Sequence, residues 1–121
     1  MIELNNIYIP KEEKENGKKI LEILDQYGLI DKPFICNKKR SKEYEVIVFS
    51  KKLITMNIYL NVWTYSIDME AIDASYSLEI IEDEIFELNI LLNNKDKIII
   101  KSMTEEHVNF LKNVVKRIIN Y

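Results

Sequence analysis

LITMNIYLNVWTY, residues 53–65, is the longest strand-like run of the chain, and the fold turns on how it is read. In an extended chain Met56, Ile58, Leu60 and Val62 fall on one side, and Asn57, Tyr59, Asn61, Trp63 and Tyr65 on the other. That period of two predicts a long strand with an apolar face and a face of aromatics and amides. Upstream, residues 43–49 (EYEVIVF) are dense in the β-branched and aromatic side chains that suit a pleated surface. Downstream, residues 97–103 (KIIIKSM) form a third clear strand, entered through the turn-forming Asn93-Asn94-Lys95-Asp96. The intervening stretch, 75–92, fits two periods. As a helix it aligns Leu78, Ile81, Ile85, Leu88 and Leu92, but leaves Ile80, Phe86, Ile90 and Leu91 on the charged side. As strands over 75–81 and 85–92, it lets Phe86, Leu88, Ile90 and Leu92 alternate with Glu87 and Asn89. The two-strand reading leaves fewer apolar side chains in water and is preferred.

The ends of the chain have the helical period instead. Ile20, Ile23, Leu24 and Tyr27 recur at spacings of three and four, after Pro10, which suits a helix start. Gly28 fits the left-handed position that closes a helix, so the first helix is predicted over 11–27, with Gly17 a weak point near its middle. At the other end Thr104 is placed to cap a helix whose first turn carries Glu105 and Glu106 and whose last turns carry Lys112, Lys116 and Arg117. Val108, Leu111, Val115 and Ile118 form its apolar face. Residues 2–9 read as a short strand or an extended arm. The expected architecture is α+β: one domain over residues 1–121, with an antiparallel sheet of about four to six strands flanked by an N-terminal and a C-terminal helix.

Composition narrows the function classes. The 121 residues include 17 basic and 20 acidic side chains, a net charge of −3, and only two Gly and two Pro. So little Gly excludes a Gly-rich phosphate loop and a disordered or collagen-like chain. The 21 Ile, 15 Lys and 12 Asn against 2 Ala and 2 Arg follow AT-rich codons, so the preference for Lys over Arg says little about function. One cysteine, Cys36, cannot form an intrachain disulfide. No basic-then-apolar leader and no apolar run near the ~18 residues of a membrane span are present, so the cytoplasm is the expected compartment.

Catalytic equipment is sparse. Cys36 and the single His107 are the formal material for a nucleophile pair, but filler and solvated-helix roles explain them better. One Cys and one His do not supply the four ligands of a structural zinc site. No metal and no cofactor are expected, and the chain is read as a non-enzyme. Lys38-Lys39-Arg40-Ser41-Lys42 is a basic cluster, read as a solvated loop of an acidic protein rather than a nucleic-acid contact.

The charge pattern is more informative than the total. Between Lys52 and Lys95 lie 42 residues without Lys or Arg, carrying Asp68, Glu70, Asp73, Glu79, Glu82, Asp83, Glu84 and Glu87. That segment is −8, while residues 31–60 are +4 and 95–121 are +3. An uncompensated negative region steers association with basic surfaces. Asp68, Glu70 and Asp73 are expected in one connection, and Glu82, Asp83 and Glu84 in the next. With Tyr59 and Trp63 as apolar anchors, these six carboxylates form the expected partner-binding set. The expected function is a non-catalytic protein-binding inhibitor of the immunity or antitoxin kind, docking on a basic, nuclease-like toxin. Two other readings share parts of this chemistry. One is a phage or mobile-element inhibitor that mimics phosphate charge on a host nucleic-acid enzyme. The other is a small enzyme or ligand-binding domain with an acidic pocket. No direct nucleic-acid or membrane contact is expected, and the oligomeric state stays open.

Overall fold

The computed structural model describes residues 1–12, 14–72, 76–82, 86–102 and 104–119. Among these, nine strands and two helices follow in the order β1 (Ile2–Leu4), β2 (Ile7–Tyr8), α1 (Asn16–Gln26), β3 (Phe34–Arg40), β4 (Glu43–Phe49), β5 (Leu53–Leu60), β6 (Tyr65–Ile72), β7 (Tyr76–Glu82), β8 (Phe86–Leu92), β9 (Lys97–Ser102) and α2 (Glu105–Ile119). The class is α+β, and the two-strand reading of 75–92 holds in β7 and β8. The strands divide between two sheets, one in the order β2-β3-β4-β5-β6 and one in the order β1-β9-β8-β7. All pairings are antiparallel except β1 with β9, which run parallel. The N-terminal segment thus supplies an edge strand to each sheet.

Period-two alternation on the five-stranded sheet builds two cores. One face carries Cys36, Tyr44, Val46, Val48, Met56, Ile58 and Leu60, which pack with Ile20, Ile23 and Leu24 of α1. The opposite face carries Ile35, Ile47, Phe49 and Leu53, which meet Phe86, Leu88, Ile90, Ile98 and Ile100 of the other sheet and Leu111, Val114 and Val115 of α2. Removing an aliphatic side chain of this kind from water contributes roughly 1.5–3 kcal/mol.

The helices differ from expectation in their limits. α1 begins at Asn16 rather than near residue 11, because residues 10–12, 14 and 15 are taken up by turns, the first closed by Glu12 N–H to the Ile9 carbonyl at 3.0 Å. Gly17 is therefore in the first turn, buried against Pro10. Tyr27, expected in the buried stripe, is 46% exposed because the helix has ended. Gly28, at φ 69°, closes it with Leu29 N–H donating to the Leu24 carbonyl at 2.8 Å and its own N–H to Asp25 at 3.0 Å. At α2 the Thr104 Oγ1 accepts the His107 N–H at 3.2 Å, the cap expected from sequence.

The strand-like run of residues 53–65 divides. β5 ends at Leu60, and residues 61–64 turn the chain, with Asn61 N–H donating to the Thr64 carbonyl at 2.8 Å. The chain then continues as β6, so Asp68 and Glu70 lie in a strand and not in a connection. The basic run is likewise partly strand: Lys38, Lys39 and Arg40 end β3, and residues 41 and 42 form the hairpin turn.

Candidate protein-binding site

The second face of the five-stranded sheet changes character along its strands. Register places Phe49, Leu53 and Ile72 in one cross-strand row, and Ile35, Ile47, Thr55 and Glu70 in the next. Then comes Asn37, Glu45, Asn57 and Asp68, and finally Glu43, Tyr59 and Ser66. The apolar rows lie against α2 and the four-stranded sheet. The polar rows, with Glu70 at the β6 end of the row before them, leave a half-face with four carboxylates, Glu43, Glu45, Asp68 and Glu70, and the half-exposed ring of Tyr59.

Hydrogen bonds order one side of this half-face. Asn6 N–H donates to Asn37 Oδ1 at 2.8 Å, and Asn6 Nδ2 donates to the Lys38 carbonyl at 2.9 Å. Asn37, itself buried, passes the chain on from its Nδ2 to Glu45 Oε1 at 3.4 Å. Glu43 lies within 3.9 Å of Lys39 and 3.8 Å of Arg40, so the basic hairpin tip is partly neutralised by the acidic row beside it. On the other side, Asp68 and Glu70 are exposed and have no ion-pair partner among the described residues. A shallow hollow of about 200 Å³ lies here, lined by Glu43, Asn57, Ile58, Tyr59, Ser66, Ile67 and Asp68.

The expected site residues separate into three groups. Tyr59, Asp68 and Glu70 share the half-face. Trp63 stands at the tip of the same β5–β6 hairpin, 93% exposed beside the 65% exposed Val62, and does not share a strand face with Tyr59. The turn that ends β5 also sends Tyr65 to the α1 side, where its hydroxyl donates to Gln26 Oε1 at 2.7 Å. Glu82 belongs to the other sheet, at the end of β7, where Lys112 of α2 approaches to 3.4 Å. Asp73, Asp83 and Glu84 lie outside the described residues. Within the acidic segment Glu87 is opposite Lys101, whose amine is also 3.6 Å from Glu3. Among the described residues of the acidic segment, the exposed carboxylates without an ion pair are thus Asp68 and Glu70 on β6 and Glu79 on β7. Glu43 and Glu45 join the site from outside the segment with no Lys or Arg. Their alternation in EYEV is visible in sequence, but their position opposite Tyr59 and Asn57 depends on register.

The remaining reactive groups are placed differently. Cys36 is fully buried in the α1-side core, and burial, reinforced by the Glu45 charge, pushes its thiol well above the ordinary range. That environment suits a packing role and not a thiolate nucleophile. His107 is half-buried in the first turn of α2. A cleft of about 380 Å³ opens near α1 and α2, lined by Ile9, Pro10, Leu21, Ile30, Phe34, Phe110 and Val114 with Lys11 and Arg117, and none of its lining residues is acidic. Among the described residues no cluster of three His, Cys, Asp or Glu is placed to hold a metal ion, and no helix is long and apolar enough to cross a membrane.

This arrangement defines an α+β domain that presents one half of a sheet face as an acidic surface. No protein-family model, no curated protein and no solved structure matches the chain.

Proposed function

We propose that the chain is a non-catalytic inhibitor of the immunity or antitoxin kind, which docks its acidic half-face onto a basic, nuclease-like partner in the cytoplasm. The observation that carries this reading is the ordered row from buried Asn37 through half-buried Glu45 to exposed Asn57 and Asp68, flanked by Glu43, Tyr59 and the exposed Glu70 of β6. Backbone pairing fixes those carboxylates on a rigid sheet, so little ordering entropy is lost when a cationic cleft closes over them. Tyr59 adds a large contact area with few rotatable bonds, and Trp63 extends it at the hairpin tip.

The test begins with capture from an extract of the native host at low and high salt, by the natural chain and by a variant with Asp68→Lys and Glu70→Lys. The natural chain is expected to retain a basic protein that salt releases, and the variant to lose it. The captured protein is then purified, and its action on nucleic acid is assayed with increasing amounts of the chain. Stoichiometric inhibition by the natural chain, weakened at least tenfold in the variant, supports the reading. A captured protein whose activity the chain leaves untouched, or equal capture by both forms, overturns it.

A further inference from the structure

We propose that β6 is a docking edge, and that an extended Lys- or Arg-bearing segment of the partner adds to the five-stranded sheet as a sixth strand. The inference rests on the protein-binding reading above and specifies its geometry. β6 is the terminal strand of its sheet, and among the described residues no strand pairs with its outer side. Leu60 N–H donates across to the Lys42 carbonyl, on the β4 side, at 2.8 Å. In an antiparallel ladder successive residues face alternate neighbours, so Tyr59, Asn57 and Thr55 face β6 and bind Ser66, Asp68 and Glu70. The N–H and C=O groups of Tyr65, Ile67, Met69 and Ala71 consequently point away from the sheet. Of these four residues Tyr65, Met69 and Ala71 are exposed and Ile67 is half-buried, and no described strand pairs with their outward groups.

Natural sheets blunt such an edge with short strands, Lys or Pro. The other edge of this sheet follows that rule: β2 has two residues and is tied down by Asn6. The three-residue β1 does the same at one edge of the second sheet, whose other edge is the seven-residue β7, so β6 is the longer of the two unblunted edges and the one continuous with the acidic half-face. β6 runs for eight residues as YSIDMEAI, with no Lys, Arg, Pro or Gly. It is long, regular and unprotected except by charge.

Charge selects the occupant. If a second copy paired antiparallel to β6 about Met69, Asp68 would lie opposite Glu70 of the other copy, twice in one interface, and like charges so placed are destabilising. A segment with Lys or Arg at those positions meets the same geometry with attraction. Backbone hydrogen bonds supply the affinity of strand addition, and the alternate side chains its specificity. Charge complementarity therefore favours a basic extended segment of another protein over a second copy of this chain paired in that register.

The probe is a synthetic peptide of residues 65–72 carrying Asp68→Lys and Glu70→Lys, kept soluble by its own positive charge, titrated into the full chain. It is expected to bind at low salt, with the Ile67, Met69 and Ala71 amides of the protein gaining protection from hydrogen exchange. The unsubstituted peptide, and the Lys peptide N-methylated at positions 67, 69 and 71, are each expected to bind at least tenfold more weakly. If the N-methylated peptide binds as well as its parent, or protection appears on β7 instead, the edge is not the dock, while the acidic-surface reading stands. If the Lys peptide binds no better than the unsubstituted one, charge does not select the partner, and the underlying reading fails with it.

Discussion

Gly17 is required for close approach and not for flexibility. A Cβ there would fall onto the Pro10 carbonyl, with the carbonyl carbon at 2.7 Å and the Pro10 Cα at 3.0 Å, all of it backbone that cannot swing aside. Gly17→Ala is expected to destabilise the chain by about 1–3 kcal/mol in urea unfolding, despite alanine's better helix propensity. An unchanged midpoint would mean that the first turn of α1 shifts freely. Asp96 carries a charge that its neighbours stabilise. It accepts the Lys97 N–H at 2.9 Å and lies 3.0 Å from the N-terminal amine, and these contacts hold its carboxyl below the usual range. A carboxylate with a lowered folded pKa stabilises above its unfolded value, near ~3.9, and that contribution is lost as pH falls through the folded value. Asp96→Asn should therefore lower Tm at pH 7, and the gap to the natural chain should close as the pH falls past the unfolded carboxylate value and through the lowered folded one. Equal melting temperatures at pH 7 would show that the turn does not depend on this charge.

At the scale of elements, legibility followed how local the deciding interaction is. The cap at Thr104 and the closing Gly28 are encoded within one turn of chain, and both were readable. β8 is readable because its period of two buries Phe86, Leu88, Ile90 and Leu92 together, and β7 pairs with it, Leu78 opposite Ile90 and Ile80 opposite Leu88, although Ile80 and Leu91 stay exposed. The 53–65 run misled because its alternation continues through the turn. Nothing in Asn61-Val62-Trp63-Thr64 has the Gly or Pro that marks a reversal, yet the chain folds back there and pairs Leu60 with Tyr65. The start of α1 is misplaced in sequence because Pro10 suits a first helical turn, whereas Pro10 instead enters the turns before Asn16 and lies against Gly17, a contact that local sequence does not specify. The acidic site was half legible. Charge spacing pointed to Asp68 and Glu70, but Glu43 and Glu45 join them through cross-strand register, which local sequence does not specify. Glu82 was grouped with them by sequence, and the division into two sheets removed it.

For the molecule as a whole, the net charge of −3 conceals a division of labour. Basic side chains cluster at the β3–β4 hairpin tip and on α2, while β6 carries exposed carboxylates with no ion-pair partner among the described residues. On an unprotected edge those charges have a second effect: they keep identical chains apart, the role that flanking charges serve in strands prone to aggregate. Replacing both by a neutral residue that retains strand propensity isolates this effect. Asp68→Thr with Glu70→Thr should leave β6 formed and remove the repulsion between Asp68 and Glu70 of two edges meeting about Met69. The variant is expected to self-associate in light scattering behind size exclusion, at concentrations where the natural chain does not. A chain with Asp68→Lys and Glu70→Lys should stay apart from its own kind but pair with the natural chain, since each Lys would then face a carboxylate. If the neutral variant stays monomeric and the mixed pair does not form, the edge is closed by something other than charge. A partner strand would then have no open ladder to join.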